Sequence, residues 1–494
     1  PATDSSPIPS APPGTPPEIL EPEMITPSGV NPEAPPESLE PETTTPSNTS
    51  EVEIDALPDS LFADPNPLTF PTTAEEVTIE QTPLVTLEQA VELAYRNNQS
   101  LQAALLSQEQ AAAAVREAKA ALFPNVDLAA NATTQESNRP TNVAGLGAVG
   151  EPSGADTAIS GSAEINYNVL TGGSRRASIR AAELQEQIST LAVEVQQEQI
   201  RLNTANAYYD LQNAGEQIRI NQSFLEEAAR NLRDSRLRQE VGVGTRFDTL
   251  RAEVQFANAR QSVIQSQSQE RIARRAISQL LNLPPNASLK ATPVAVAKSW
   301  PLDLEESILL AFQNRAELDQ QLYQADLSEE QRKIALAAIR PRVQLFANYN
   351  AQTFVNNNDG ILDNYSFGAR FNWTPFDGGA ARARARQQEI AGQIAEEQFS
   401  SNLDQVRFDV EQSFFNLQAN QENIATSEVA VTQAEEALAL ANLRLQAGVG
   451  TQLDVLTAQS ELTQAEANNV AAILGYNRAL VSIERAISNI SALF

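Results

Sequence analysis

Two short stretches carry the residues best suited to chemistry. VGVGTRFD spans Val241–Asp248 and AGVGTQLD spans Ala447–Asp454. In each, a Gly-rich reversal is followed by T-x-x-D, Thr245 with Asp248 and Thr451 with Asp454. That spacing makes a capping box at the start of a returning helix. It also places a carboxylate at a turn, where copies of the chain around an axis would present a ring of negative charge that favours cations. The two readings are compatible. Gly242 and Gly244, like Gly448 and Gly450, are expected to supply the positive φ that reverses two antiparallel helices.

Two Arg clusters, Arg175, Arg176 and Arg180, and Arg382, Arg384 and Arg386, open long helical stretches. Cations there oppose the helix dipole. They pair with neighbouring Glu or meet anionic groups at a membrane interface. GLGAVG at Gly145–Gly150 matches a dinucleotide fingerprint by letters, but EPSGAD follows it where a helix is needed, so nucleotide binding is not expected. The chain has no Cys and no His. Thiol nucleophiles, imidazole bases and Cys- or His-based metal sites are thereby excluded, and no enzyme activity or cofactor is expected. A formal charge of −29 argues against nucleic acid as a partner.

The elements that hold these residues are written twice. Thr86–Leu101 aligns with Asp303–Leu318 at an offset of 217, which also sets ALFP (Ala121–Pro124) on AIRP (Ala338–Pro341). Beyond that the offset is 206: Gly172-Gly173 meets Gly378-Gly379, Tyr208-Tyr209 meets Phe414-Phe415, and one Gly turn meets the other. The difference falls in one polar loop between Thr134 and Asp156, longer in the first copy.

Each copy holds two alternating segments, near 125–134 and 158–169 and near 342–354 and 365–373. Ile159, Ala163, Ile165 and Tyr167 share one face; Ser160, Ser162, Glu164 and Asn166 share the other. Period two over about ten residues is a strand with one apolar face, the length of a tilted strand across a bilayer. Trp373 and Tyr167 stand at equivalent strand ends, placed either for an aromatic girdle at the lipid interface or as apolar side chains at a protein junction. The remainder is helical. Ser174–Glu240 and Ala380–Gln446 each run without Pro, with heptad-like seams such as Ile188, Leu191, Val195, Leu202, Ala205 and Tyr209. At 1.5 Å per residue each is about 100 Å long. The flanking helices Thr86–Leu122 and Arg246–Asn282, and Asp303–Ile339 and Gln452–Ser488, are roughly half that. No run of 18 apolar residues offers a spanning helix.

Residues 1–83 differ from the rest. They hold 19 of the 28 prolines and 16 acidic residues with no Lys or Arg, so they read as a disordered or polyproline-like acidic arm. Domains are therefore expected at 1–83, 84–302 and 303–494. The chain opens on Pro1 and its single Met is Met24, so it is expected to begin after a processing point or at another cut in a longer chain. With no Cys, a lipid anchor on an N-terminal cysteine is not expected.

Four strands with an apolar face cannot close a barrel, and an open edge in lipid leaves backbone groups unpaired. Eight strands enclose only side chains, whereas twelve leave a lumen. The expected object is a mixed α and β membrane protein: three chains forming a 12-stranded β-barrel, four strands each, continued by a long α-helical barrel.

This sequence resembles the TolC-type outer-membrane efflux family. The likeness rests on the opening helices (Leu87–Asn98, Leu304–Asn314), the Ala-x-x-Pro joints, the strand-to-GlyGly junctions and the VGxGT–D turns, in order and twice, from Pro83 to Phe494. It implies a homotrimeric channel-tunnel in the outer membrane of a Gram-negative-type cell, its helical tube in the periplasm. It implies a periplasmic adaptor and an inner-membrane pump of ABC or RND type as partners, in efflux or type I secretion of drugs, proteins or other cargo. By the same resemblance the aperture acid lies in the second-copy turn, favouring Asp454 over Asp248. A further acid one turn on is replaced by Thr457, which implies a weaker ring. The adaptor would meet the tips, Val241, Gly242, Val243, Gly244 and Thr245 in one copy and Gly448, Val449, Gly450 and Thr451 in the other. The proline-rich arm is outside the family pattern. The rival reading is a periplasmic coiled-coil scaffold or adaptor, to which an apolar strand face would be of no use.

Overall fold

A computed structural model describes residues 61–62, 71–79, 82–135, 141–143, 147–149, 156–355 and 360–488. Most of the proline-rich arm lies outside these residues.

The long helices have the bounds their lack of proline predicts: α3 is Ser174–Glu240 and α7 is Ala380–Gln446. Each is flanked on one half by a returning helix, α4 (Arg246–Leu280) beside α3 and α8 (Gln452–Ile487) beside α7. The other halves are flanked by helices that the sequence reads as continuous but the structure breaks. In copy one, α1 (Leu87–Asn97) and α2 (Gln99–Ala120) meet at Asn98. Its side-chain oxygen accepts from Ser100 N at 2.9 Å and Leu101 N at 3.2 Å, so α2 begins with its own cap. In copy two, α5 (Leu304–Asn314) and α6 (Ala316–Leu336) meet at Arg315, which cannot cap. A short 3-10 turn, Ala337–Ile339, then leads to Arg340 in extended conformation before Pro341, as proline demands.

Between the helical stretches lie the strands. The main sheet comprises β2 (Asn125–Gln135), β5 (Asp156–Thr171), β7 (Arg342–Phe354) and β8 (Ile361–Asn372), ordered β2-β5-β7-β8 and antiparallel throughout. Register carries the apolar face across it: Val126 opposes Ile165, Tyr167 opposes Leu345, and Ala347 opposes Phe367. That face is bare, with Leu128 and Phe367 each 79% exposed. The opposite face is mostly polar, with Phe346 under the Arg370 guanidinium, and Gln344 donates to Asn166 at 3.0 Å and Asn350 to Asn364 at 3.2 Å. The β5–β7 ladder slips by one residue between Asn168 and Leu170. A small hairpin, β3 (Thr141–Val143) with β4 (Gly147–Val149), sits in the long first-copy loop. Gly147–Val149 within GLGAVG is therefore hairpin strand.

The apolar core gathers around the middle of the long helices. One cluster joins α1, the centre of α3 and the end of α4 with Leu283 and Leu289; the other joins α5, the centre of α7 and the end of α8. In α3 the fully buried positions are Leu184, Val193, Ile200, Tyr208 and others, while Ile188, Leu191 and Val195 of the expected seam are half-buried. A helix clasped by neighbours on several sides buries more than one seam. A two-residue parallel pairing of β1 (Leu84–Val85) with β6 (Lys290–Ala291) ties the start of copy one to the linker before copy two.

The arm is not wholly separate from this core. Leu61 is 1% exposed in the first cluster, its carbonyl accepts from Asn97 Nδ2 at 3.0 Å, and Arg96 lies 5.4 Å over the Phe62 ring. An isolated Leu-Phe among prolines gave no pattern from which this docking could be read.

Candidate functional site

The two reversals adopt one geometry. After α3, Val243 N and Gly244 N both donate to Arg238 O, at 3.0 and 2.9 Å; after α7, Val449 N and Gly450 N donate to Arg444 O at 3.0 and 2.9 Å. Gly242 (φ +80°) and Gly448 (φ +76°) take the left-handed conformation. Gly244 and Gly450 do not, contrary to the sequence reading. They are needed for close approach: a Cβ on Gly244 would lie 2.9 Å from Arg238 Cβ, and one on Gly450 3.0 Å from Arg444 Cβ.

Both capping boxes form. Asp248 N donates to Thr245 Oγ1 at 3.1 Å while Thr245 N donates to Asp248 Oδ2 at 3.3 Å. Asp454 N donates to Thr451 Oγ1 at 3.2 Å and Thr451 N to Asp454 Oδ2 at 2.9 Å. The Thr451 N–H, with its hydroxyl, holds the Asp454 carboxyl below the usual range, so the fully exposed side chain is charged at neutral pH.

The tips of the two copies lie side by side. Arg238 Nη1 donates to Leu445 O at 3.2 Å, and Gln452 bonds Asn231 across the same seam. Val241, Val243 and Val449 are more than 70% exposed, and Phe247 and Leu453, each beside its capping acid, extend this apolar collar. The last two belong with the tip candidates, and the apolar residue just before the acid in both TRFD and TQLD is the signal for them.

At the other end, Tyr167 lies within β5 on the apolar face, with the Arg175 guanidinium 6.0 Å from its ring centroid. Trp373 stands one residue beyond β8, exposed, its Nε1 donating to Ile339 O at 3.0 Å. The two flank the junction between sheet and helices, though only Tyr167 is part of a strand. Among the described residues no helix is long and apolar enough to cross a membrane, and no group of acidic side chains is arranged to hold a metal ion.

Comparison with known proteins agrees with this geometry. The family model described as "Outer membrane efflux protein" matches residues 90–283 and 308–489, one block per copy. The chain is 25% identical over 415 residues to the pyoverdine export outer membrane protein OpmQ of Pseudomonas aeruginosa, covering 81% of this chain and 84% of that one. It is 23% identical over 424 residues to outer membrane protein TolC of Escherichia coli, covering 82% of each. Its fold superposes on the crystal structure of the outer membrane protein VceC from Vibrio cholerae with a TM-score of 0.70, at 23% identity, over 81% of this chain and 95% of that one. With the family model matching both halves of a duplicated chain, this protein belongs to the outer membrane efflux protein family.

Proposed function

We propose that three copies of this chain close into one conduit across the outer membrane, passively passing cargo outward from a periplasmic adaptor and an inner-membrane pump. The observation that carries this is the sheet. Its order leaves β2 and β8 as open edges, and its bare apolar face crosses all four strands. Open edges are untenable in lipid, so β8 of one chain pairs with β2 of the next, and twelve strands enclose a lumen lined by the polar face. The helices of three chains continue that wall for about 100 Å.

The functional units are the two copies, 84–302 and 303–494, with 1–83 as a spacer docked at Leu61 and Phe62. The tips are the adaptor's docking surface, through the Val243, Val449, Phe247 and Leu453 collar. Asp454 supplies the ring of charge at the aperture, with Asp248 as the secondary candidate. The pump, of ABC or RND type, supplies the energy; the conduit performs no chemistry on drugs, proteins or other cargo.

The test is single-channel conductance in planar bilayers, with oligomeric state measured in detergent. A trimer with cation preference is expected. Asp454→Ala should reduce that preference, whereas Thr451→Ala, which removes the cap but keeps the carboxylate, should retain it. Unchanged selectivity in Asp454→Ala would end the ring assignment. A monomer soluble without detergent would end the conduit reading.

A further inference from the structure

Where the sheet meets the helices lies a cavity of about 660 Å³ with an unusual charge balance. Its lining brings Arg175, Arg176 and Arg180 of α3 together with Lys333 of α6 and Arg340 of the joint before β7. Only two carboxylates face them. Glu183 is already engaged by Lys119 at 3.0 Å and Arg180 at 3.7 Å, and Glu330 by Lys333 at 2.8 Å. Among the described residues, Arg175, Arg176 and Arg340 have no carboxylate within ion-pair distance. Two of them are nonetheless fixed in place. Arg175 Nη1 donates to Asn168 O at 2.7 Å and Ala121 O at 3.3 Å, and Arg340 Nη1 to Gly172 O at 3.2 Å. Converging, oriented guanidiniums in a chain of net charge −29 are a recognition surface for an anion, and their planar donors suit phosphate oxygens.

The second copy shows what this arrangement lacks. At the start of α7, Asp377 accepts from Gly379 N at 3.1 Å and Ala381 N at 2.7 Å, so that copy supplies its own anion. At the 206 offset Asp377 corresponds to Thr171, and Ala381 corresponds to Arg175. Copy one thus lacks the carboxylate of Asp377 and carries a guanidinium, Arg175, where copy two has Ala381, while Ser178 stands where copy two has Arg384.

The surroundings choose the source of the anion. Arg175 sits over Tyr167, on the strand face that carries Ile165. Leu122 lines the cavity, and it and its neighbour Phe123 are exposed. Since α3 packs between α2 and α6 of its own chain, the cavity belongs to one protomer and not to a seam between two. Cations just beyond the edge of an apolar band fit a ligand with an anionic head and an apolar body. We propose that this junction binds the phosphate of an anionic phospholipid headgroup, with Arg175, Arg176 and Arg340 as its ligands.

The proposal rests on the sheet facing lipid, and its test separates the two. The full chain in detergent is titrated with phosphatidylglycerol, phosphatidylcholine or inorganic phosphate, and bound lipid is read by native mass spectrometry. Phosphatidylglycerol should bind at least about tenfold more tightly to wild type than to Thr171→Asp, which installs the carboxylate of copy two, or to Arg176→Gln, whose side chain makes no ion pair. Inorganic phosphate at equal concentration should not displace it. Equal binding by wild type and both variants would overturn the site. Displacement by inorganic phosphate would overturn the lipid and leave a soluble-anion site. Loss of association with both lipids in wild type would point to failure of the bilayer-facing reading itself.

Discussion

Arg315 offers the sharpest test of how the two copies differ. It stands where copy one has Asn98, between two helices, yet it leaves α6 without a side-chain cap. Its guanidinium is nine-tenths buried and reaches three elements: Asp409 of α7 at 3.3 Å, Glu317 of α6 at 3.2 Å, and the carbonyls of Arg485 and Ala486 at the end of α8, at 3.4 and 3.3 Å. Removing one member of a buried ion pair costs about 3–5 kcal/mol. Arg485 still holds Glu317 at 2.5 Å, so the lower end, about 3 kcal/mol, applies to Arg315→Ala. Arg315→Asn recreates the copy-one cap and recovers about 1 kcal/mol. The expected net loss for Arg315→Asn is about 2 kcal/mol, roughly thirtyfold in the unfolding equilibrium. Loss of helical circular dichroism in urea, at fixed detergent concentration, measures both variants. Wild-type stability in Arg315→Asn would show that the ion pairs contribute no more than the cap returns, about 1 kcal/mol. Identical losses in the two variants would show that the position cannot act as a cap.

Three further outcomes are expected. Gly172→Ala places a Cβ 2.8 Å from Arg340 Cβ at φ +64°, whereas Gly378→Ala at φ +72° meets open space; both bear a left-handed penalty of about 1–2 kcal/mol, so a larger loss of trimer thermal stability in Gly172→Ala measures the crowding alone. Burial pushes the Glu317 carboxyl up, but Arg315 and Arg485 outweigh it and hold it below its ordinary value of 4.5. Its contribution is therefore present above about pH 4.5 and lost as pH falls through the lower folded value, and urea midpoints taken across acid pH should show a smaller loss, complete at higher pH, in Arg315→Asn. Leu61→Ala should cost about 2 kcal/mol and expose the arm near residue 61 to protease, while deletion of 1–56 should leave both protease resistance of the core and assembly unchanged.

Much of this architecture is legible in the chain itself, and what is not has physical reasons. Both 67-residue helices could be bounded because Gly-Gly and a Gly turn stop them and no proline interrupts. Strand faces were legible because alternation is a local signal. The breaks at Asn98 and Arg315 were not: YRNNQSL and FQNRAEL contain neither Pro nor Gly, so a helical pattern runs through them. At the tips, composition shows that glycine is required without showing whether conformation or crowding requires it. The cationic junction needed three segments brought together, because Lys333 and Arg340 lie more than 150 residues from Arg175.

The slip between Asn168 and Leu170 has a consequence for the whole length of the molecule. A strand counts in twos and a helix advances about 100° per residue, so the extra residue sets the rotational phase at which α3 leaves the sheet. Removing it would straighten the ladder but turn all 67 following side chains by more than a quarter revolution. Residues that now pack against neighbours would swing toward water or the lumen. A single insertion or deletion here would misphase the entire stave while sparing the local pairing, and this joint should tolerate length change far less than the hairpin loops above it.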